Sequence, residues 1–142
     1  QNTGGDKFVT FFWGILDAAR STLAYVNAGH NYPYLLHADG SVERLAVGGM
    51  ILGIMAEGAR YEQAEISLRP GDILLLFTDG VSEAMSRDSE EFGEERLERI
   101  LRGHAELGAQ EIIAAVHEHI LEFTAGASQS DDITMMVLKV SG

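Results

Sequence analysis

The chain has 142 residues, enough for one domain with a buried core. It has no cysteine, which excludes disulfides, thiolate zinc sites and a cysteine nucleophile and fits a reducing compartment, so we expect the cytoplasm. A formal net charge of −12 argues against nucleic acid or an anionic membrane surface as a partner. No apolar run approaches the ~20 residues of a membrane span. If the domain handles phosphate, it needs an added cation, such as a divalent metal.

The first half of the chain has the pattern of β-structure. Residues 8–16 are rich in aromatic and β-branched types and predict a buried strand, and residues 22–27 predict the returning strand. Asp39-Gly40 is the strongest short hairpin signal in the chain. An alternating pattern over 61–68 predicts a half-buried strand.

The stretch 73–78 is almost wholly apolar and predicts a strand that is buried on both faces. It follows Pro70-Gly71, which favours a turn, so we expect it to form a hairpin with the strand over 61–68. It would then lie inside an antiparallel sheet. It stops at Asp79-Gly80, a pair that favours a tight turn.

After this point the apolar period changes from two to that of a helix. The pattern predicts helices over roughly 92–105 and 109–125, followed by a final strand over 133–140. Antiparallel strands, a helix pair and a closing strand indicate an α+β fold with helices packed on a sheet face.

Three acids stand at the ends of the predicted buried strands. Asp79 follows one strand, while Asp131 and Asp132 precede another. If the two strands are antiparallel neighbours, these carboxylates converge, and such oxygen ligands suit Mg²⁺ or Mn²⁺ at roughly 2.0–2.2 Å. The residues alone leave open the alternative that Asp79 makes a turn and the other two form a solvated loop or cap.

The histidines give no strong site signal. His30 follows a strand end and is expected in a turn, while His104 and His119 are expected at the surface. His117 and His119 are two positions apart on a helix and cannot share a metal as an i, i+4 pair would. The chain contains no Gly-x-Ser-x-Gly, Walker or Gly-x-Gly-x-x-Gly motif.

An ordered set of motifs resembles a known family. The segments 78–84 (TDGVSEA) and 131–134 (DDIT) resemble the metal-dependent serine/threonine phosphatases of the PPM (PP2C-like) superfamily. The match is closer to the bacterial SpoIIE/RsbU-type branch, because 27–30 (NAGH), 70–72 (PGD) and Phe92-Gly93 also occur in the expected order.

This resemblance implies a PP2C-like β-sandwich of antiparallel sheets flanked by helices, with two or more Mn²⁺ or Mg²⁺ ions at one edge. A metal-activated water would attack the phosphorus. Carried over by position, the metal site comprises Asp79, Gly80, Asp131 and Asp132. Asp79 is a metal ligand, Gly80 shapes the turn beside it, and Asp131 is a second ligand. Asp132 is the last candidate in order, because family members often place a non-ligand at its position. No catalytic residue is implied beyond the metal ligands.

The chain also departs from the family. Family members have an early strand with a Gly-Asp segment, whose Asp bridges both metals, and then a first helix pair; neither is found before Phe8. The resemblance therefore implies that 1–142 is a single partial domain, with 8–140 matching. We expect this portion alone to bind metal weakly, to have little activity and to expose apolar sheet surface.

The resemblance implies a protein serine/threonine phosphatase of a bacterial signalling protein. The usual substrate in this branch is a phosphorylated STAS-type anti-anti-sigma protein, which implies sigma factor regulation. The parent chain often carries an N-terminal sensor or receiver domain. The alternatives are a non-catalytic phosphatase-fold interaction module and an acidic scaffold domain with no site.

Overall fold

The structure, a computed structural model, describes residues 8–54, 58–129 and 131–141. These residues form β1 (Phe11–Asp17), β2 (Thr22–Ala28), β3 (Tyr34–Leu36), β4 (Val42–Arg44), β5 (Gly48–Gly49), β6 (Ala64–Ser67), β7 (Ile73–Phe77), α1 (Asp79–Ser82), α2 (Glu94–Gly103), α3 (Ala109–Thr124) and β8 (Met135–Lys139). No helix among the described residues is long and apolar enough to cross a membrane.

The chain divides into two compact units. One is formed by the described parts of Gln1–Tyr32 and Leu45–Arg69, and the other by those of Pro33–Arg44 and Pro70–Gly142. Each unit has its own sheet. The mixture of antiparallel sheets and a few helices confirms the predicted α+β class.

In the first unit, β2 lies between β1 on one side and β5 and β6 on the other. Side chains on one face of this sheet, such as Leu23 and Tyr25, are buried. The opposite face of β1 leaves Phe11 46%, Trp13 47% and Ile15 53% exposed. The prediction of a buried first strand is therefore wrong: no residue of β1 is buried, and Leu16, on the face of Leu23, is itself 47% exposed. An aromatic and β-branched composition indicates a strand but does not establish that both of its faces are covered. The expected exposed apolar surface is present.

In the second unit, the strand order is β4-β3-β7-β8, and every neighbouring pair is antiparallel. Central strand β7 is buried along almost its whole length, as its apolar sequence predicts. Helices α2 and α3 contribute Leu97, Leu101, Ile112 and Val116 to the same core. Both predicted helices are confirmed. The first begins two residues later than predicted, because Gly93 has a φ of 78° and precedes the helix as its N-cap.

The predicted hairpin between the strands at 61–68 and 73–78 is wrong. Strand β6 pairs with β2, whereas β7 pairs with β3 and β8. The turn residues bond to the end of β8 instead: Gly71 N donates to Val140 O at 2.9 Å, and Val140 N donates to Asp72 O at 2.9 Å. A strand that is apolar on both faces is most stable in a sheet centre, while β6, with its alternating pattern, suits a half-exposed position.

Candidate metal centre

The end of β7 lies beside the start of β8. The two strands are antiparallel and their last pair is Phe77 with Met135, so the segment after β7 meets the segment before β8. The strand adjacency from which convergence of the acids was predicted is therefore confirmed.

Thr78 joins these two segments. Its backbone N donates to Thr134 O at 3.1 Å. Its hydroxyl Oγ1 donates to Asp132 O at 2.9 Å and accepts from Thr134 N at 3.0 Å. Three hydrogen bonds thus extend the pairing one step beyond the strands and fix the backbone of Asp132. No local pattern predicts this role for Thr78, although it precedes Asp79 in the motif.

Gly80 is the point of closest backbone approach. It is buried, and a Cβ placed on it would lie 2.5 Å from Asp132 O and 3.2 Å from Asp131 O. No side chain fits there without moving the backbone that carries the two acids. The requirement for glycine at this position is therefore steric and acts directly on the candidate site.

Asp79 begins a single helical turn, α1, rather than the tight turn that its sequence predicts. The turn is closed by Val81 N, which donates to Thr78 O at 3.0 Å, and Glu83 N, which donates to Asp79 O at 2.8 Å. The Asp79 carboxylate is exposed, and its Oδ1 accepts from Gly80 N at 3.0 Å.

Asp131 and Asp132 are also exposed. Asp131 Oδ1 accepts from Asp132 N at 2.7 Å, and its backbone oxygen accepts from Gln129 Nε2 at 2.6 Å. Within the described part of the chain, none of the three acids Asp79, Asp131 and Asp132 forms an ion pair with Lys or Arg. Their negative charge is thus not neutralised by the protein there.

The donors at this edge are all oxygens, which is the chemistry that Mg²⁺ and Mn²⁺ prefer. However, no group of three or more His, Cys, Asp or Glu side chains among residues 8–54, 58–129 and 131–141 is arranged to hold a metal. The residues present fit a divalent ion by the chemistry of their donor atoms and by the placement of their backbone.

A small cavity lies against the same backbone. Its volume is about 150 Å³, and its lining includes Gly80, Met85, Ile120 and Ile133. The mixed spacing of these residues in the sequence gives no pattern from which the cavity could have been predicted.

Of the histidines, His30 occupies the predicted turn. Asn27 is buried and holds this turn, because its Oδ1 accepts from His30 N at 2.8 Å and its Nδ2 donates to His30 O at 3.0 Å. His104 and His119 are half-buried rather than simply at the surface, and their rings are in contact.

Comparison with known proteins relates the chain to a family of phosphatase domains. The model of the stage II sporulation protein E (SpoIIE) family matches residues 1–141. The chain is 32% identical over 131 residues to protein IcfG of Synechocystis sp., which covers 92% of this chain and 20% of IcfG. It is 29% identical over 141 residues to the phosphoserine phosphatase RsbU of Bacillus subtilis, which covers 98% of this chain and 41% of RsbU.

A solved structure has the same fold. The manganese-presoaked phosphatase domain of SpoIIE from Bacillus subtilis superposes with a TM-score of 0.67 at 21% identity, over 93% of this chain and 56% of that one. The chain thus spans between a fifth and about half of the length of these proteins. The match over residues 1–141, together with this fold, shows that the chain belongs to the SpoIIE family of PP2C-like phosphatase domains.

Proposed function

We propose that this chain is part of a metal-dependent phosphatase domain that hydrolyses phosphoserine or phosphothreonine in a protein of a bacterial signalling system. The observation that carries the proposal is the approach of Gly80 to the backbone of Asp131 and Asp132, which brings the acid-bearing ends of two strands together. Membership of the SpoIIE family and the similarity to the phosphoserine phosphatase RsbU support the reaction type.

In this proposal, Asp79 and Asp131 hold a Mn²⁺ or Mg²⁺ ion, and Asp132 is the less secure ligand. When bound, the ion supplies an activated water and neutralises the charge of the phosphate. Thr78 and Gly80 act as positioning residues, since they fix the two backbone segments from which the carboxylates extend. In this proposal the described residues do not complete the ligand set, and the further ligand that the resemblance implies is the Asp of a Gly-Asp segment.

The finer assignments are part of the proposal. The substrate is a phosphorylated STAS-type anti-anti-sigma protein, and the parent chain carries an N-terminal sensor or receiver domain in the cytoplasm. The net charge of −12 argues against nucleic acid as the substrate, and the absence of cysteine fits a reducing compartment.

One observation favours a second candidate, a non-catalytic interaction module. The described residues contain no complete group of metal ligands. A module that binds a partner without turnover would not need such a group. The acids Asp79, Asp131 and Asp132 speak against it, because a module that only binds a partner does not need carboxylates at the ends of two adjacent strands.

To distinguish a phosphatase from an interaction module, we would measure the hydrolysis of a phosphoserine protein by the whole parent protein in the presence of Mn²⁺. We expect turnover by the wild type, loss of at least a hundredfold in Asp79→Asn, and an unchanged rate in Asp88→Asn. Asp88 is a suitable control because it is an exposed acid in the loop after α1. Binding of the phosphoprotein without turnover by the wild type would establish the interaction module. An unaltered rate in Asp79→Asn would remove Asp79 from the metal site.

A further inference from the structure

Two histidines meet between helices α2 and α3, away from the strand ends that carry the acids. His104 follows the last residue of α2, and His119 lies in the fourth turn of α3. Their ring centroids are 5.5 Å apart and their planes are inclined at 75°. Neither the family motifs nor the proposed phosphatase reaction uses this pair of imidazoles, which we call the imidazole pair.

Backbone carbonyls fix the proton on each ring. His104 Nδ1 lies 2.9 Å from Ile100 O, and His119 Nδ1 lies 2.8 Å from Ala115 O. A carbonyl oxygen only accepts, so each Nδ1 carries the hydrogen. In the neutral ring the lone pair is then on Nε2. A backbone bond at one ring nitrogen is the usual arrangement of a histidine that ligates a metal through the other.

The separation of the rings suits a shared metal ion. Zn²⁺ binds imidazole nitrogen at about 2.0–2.1 Å with tetrahedral geometry, which places the centres of two ligating rings roughly 5 Å apart. The observed 5.5 Å, in an edge-to-face contact of the two rings, is close to this value. The helices that carry the rings are held by buried Leu101, Ile112 and Val116, so the backbone positions are preorganised.

We propose that the imidazole pair binds one borderline transition-metal ion, Zn²⁺ in the first instance, through Nε2 of His104 and Nε2 of His119. Nitrogen ligands distinguish this site from the oxygen-lined strand ends, which suit Mg²⁺ or Mn²⁺. No third His, Asp or Glu of the described residues joins the pair in a metal-binding group. Water therefore completes the coordination, and the ion exchanges with solution.

A bound ion would link α2 to α3 and stabilise the helical layer, because it binds the folded state and not the separated helices. This site is independent of the proposed phosphatase reaction. It makes the stability of the second unit sensitive to Zn²⁺ without any contribution from the acidic strand ends.

The test is a calorimetric titration of the full chain with Zn²⁺ in excess Mg²⁺, which occupies oxygen sites. We expect one equivalent of Zn²⁺ to bind, and His119→Asn to weaken binding at least tenfold. Asparagine retains an amide donor near the position of Nδ1 but lacks Nε2. His104→Ala is the second variant, and circular dichroism verifies that both fold.

His117→Ala is the matched control. His117 is exposed on the same helix, two positions away and pointing in a different direction. We expect its affinity for Zn²⁺ to stay within twofold of the wild type. The proposal is overturned if the His104 and His119 variants bind Zn²⁺ like the wild type, if the wild type takes up none, or if Asp79→Asn removes the binding.

Discussion

The close approach at Gly80 predicts a specific cost for adding one methyl group. In Gly80→Ala the new Cβ would lie 2.5 Å from Asp132 O and 2.9 Å from Asp132 C, both backbone atoms. Ordinary contacts of a Cβ begin at 3.4 Å, so the segment with Asp131 and Asp132 must move by roughly 1 Å to make room. Overpacking of this kind in a buried place costs about 1–3 kcal/mol. The gain in helix propensity is small, because α1 has only four residues.

Urea denaturation measures this cost directly, and Gly103→Ala is the matched control. Gly103 ends α2 and has a helical backbone, and a Cβ placed on it would lie more than 4 Å from the described atoms outside its own stretch of helix. We expect the control to raise the free energy of unfolding by up to about 1 kcal/mol, because alanine is the better helix former. Gly80→Ala should lower it by about 1–3 kcal/mol. If the two variants shift stability equally, the backbone of Asp132 does not lie against Gly80.

Two further predictions concern side chains in the second unit. Thr78→Val removes the hydroxyl that bonds to Asp132 O and Thr134 N, so the free energy of unfolding should fall by about 1–2 kcal/mol. Thr124→Val is the control, because the Thr124 hydroxyl donates to Leu121 O in its own helix, and it should change this free energy by less than about 0.5 kcal/mol. Equal effects would mean that the Thr78 hydroxyl does not hold the two segments together. Tyr34→Phe should leave the free energy of unfolding at pH 7 unchanged or raise it by up to about 1 kcal/mol, because the Tyr34 hydroxyl is buried without a hydrogen-bond partner among the described atoms. A loss above about 1 kcal/mol would contradict this. Burial, together with the nearby charge of Glu94, raises the pKa of Tyr34. The wild type should therefore lose stability as pH rises above about 10, where this tyrosine ionises in the unfolded chain. In urea denaturation at about pH 10–11, Tyr34→Phe should lose less stability than the wild type.

Patterns that depend on local periodicity were predicted well. Strand β7 and helices α2 and α3 could be recognised because their apolar residues repeat with the period of the element and one face is buried. Strand pairing was predicted less well. The Pro-Gly turn before β7 favours a hairpin with the preceding strand. In the structure, β7 instead pairs with β3 and β8, whose residues are distant from it in sequence.

At the candidate site, the adjacency of the two acid-bearing segments was predicted correctly, because antiparallel neighbours put the end of one strand beside the start of the other. The assignment of Asp79 and Asp131 as metal ligands stays a prediction. The helical turn at Asp79 and the bridging role of Thr78 depend on contacts with residues more than fifty positions away, which no local pattern encodes. The contact of His104 with His119 likewise depends on how two helices pack.

The central claim is that Asp79 and Asp131 hold one metal ion between them. The most direct measurement is a double-mutant cycle in the whole parent protein, with the Mn²⁺ concentration for half-maximal phosphatase activity determined for Asp79→Asn, Asp131→Asn and the pair. Ligands of a shared ion are strongly non-additive. We expect each single variant to require at least tenfold more Mn²⁺ and the double variant to be little worse than either. Two independent, multiplying effects, or no effect at Asp131, would contradict the account.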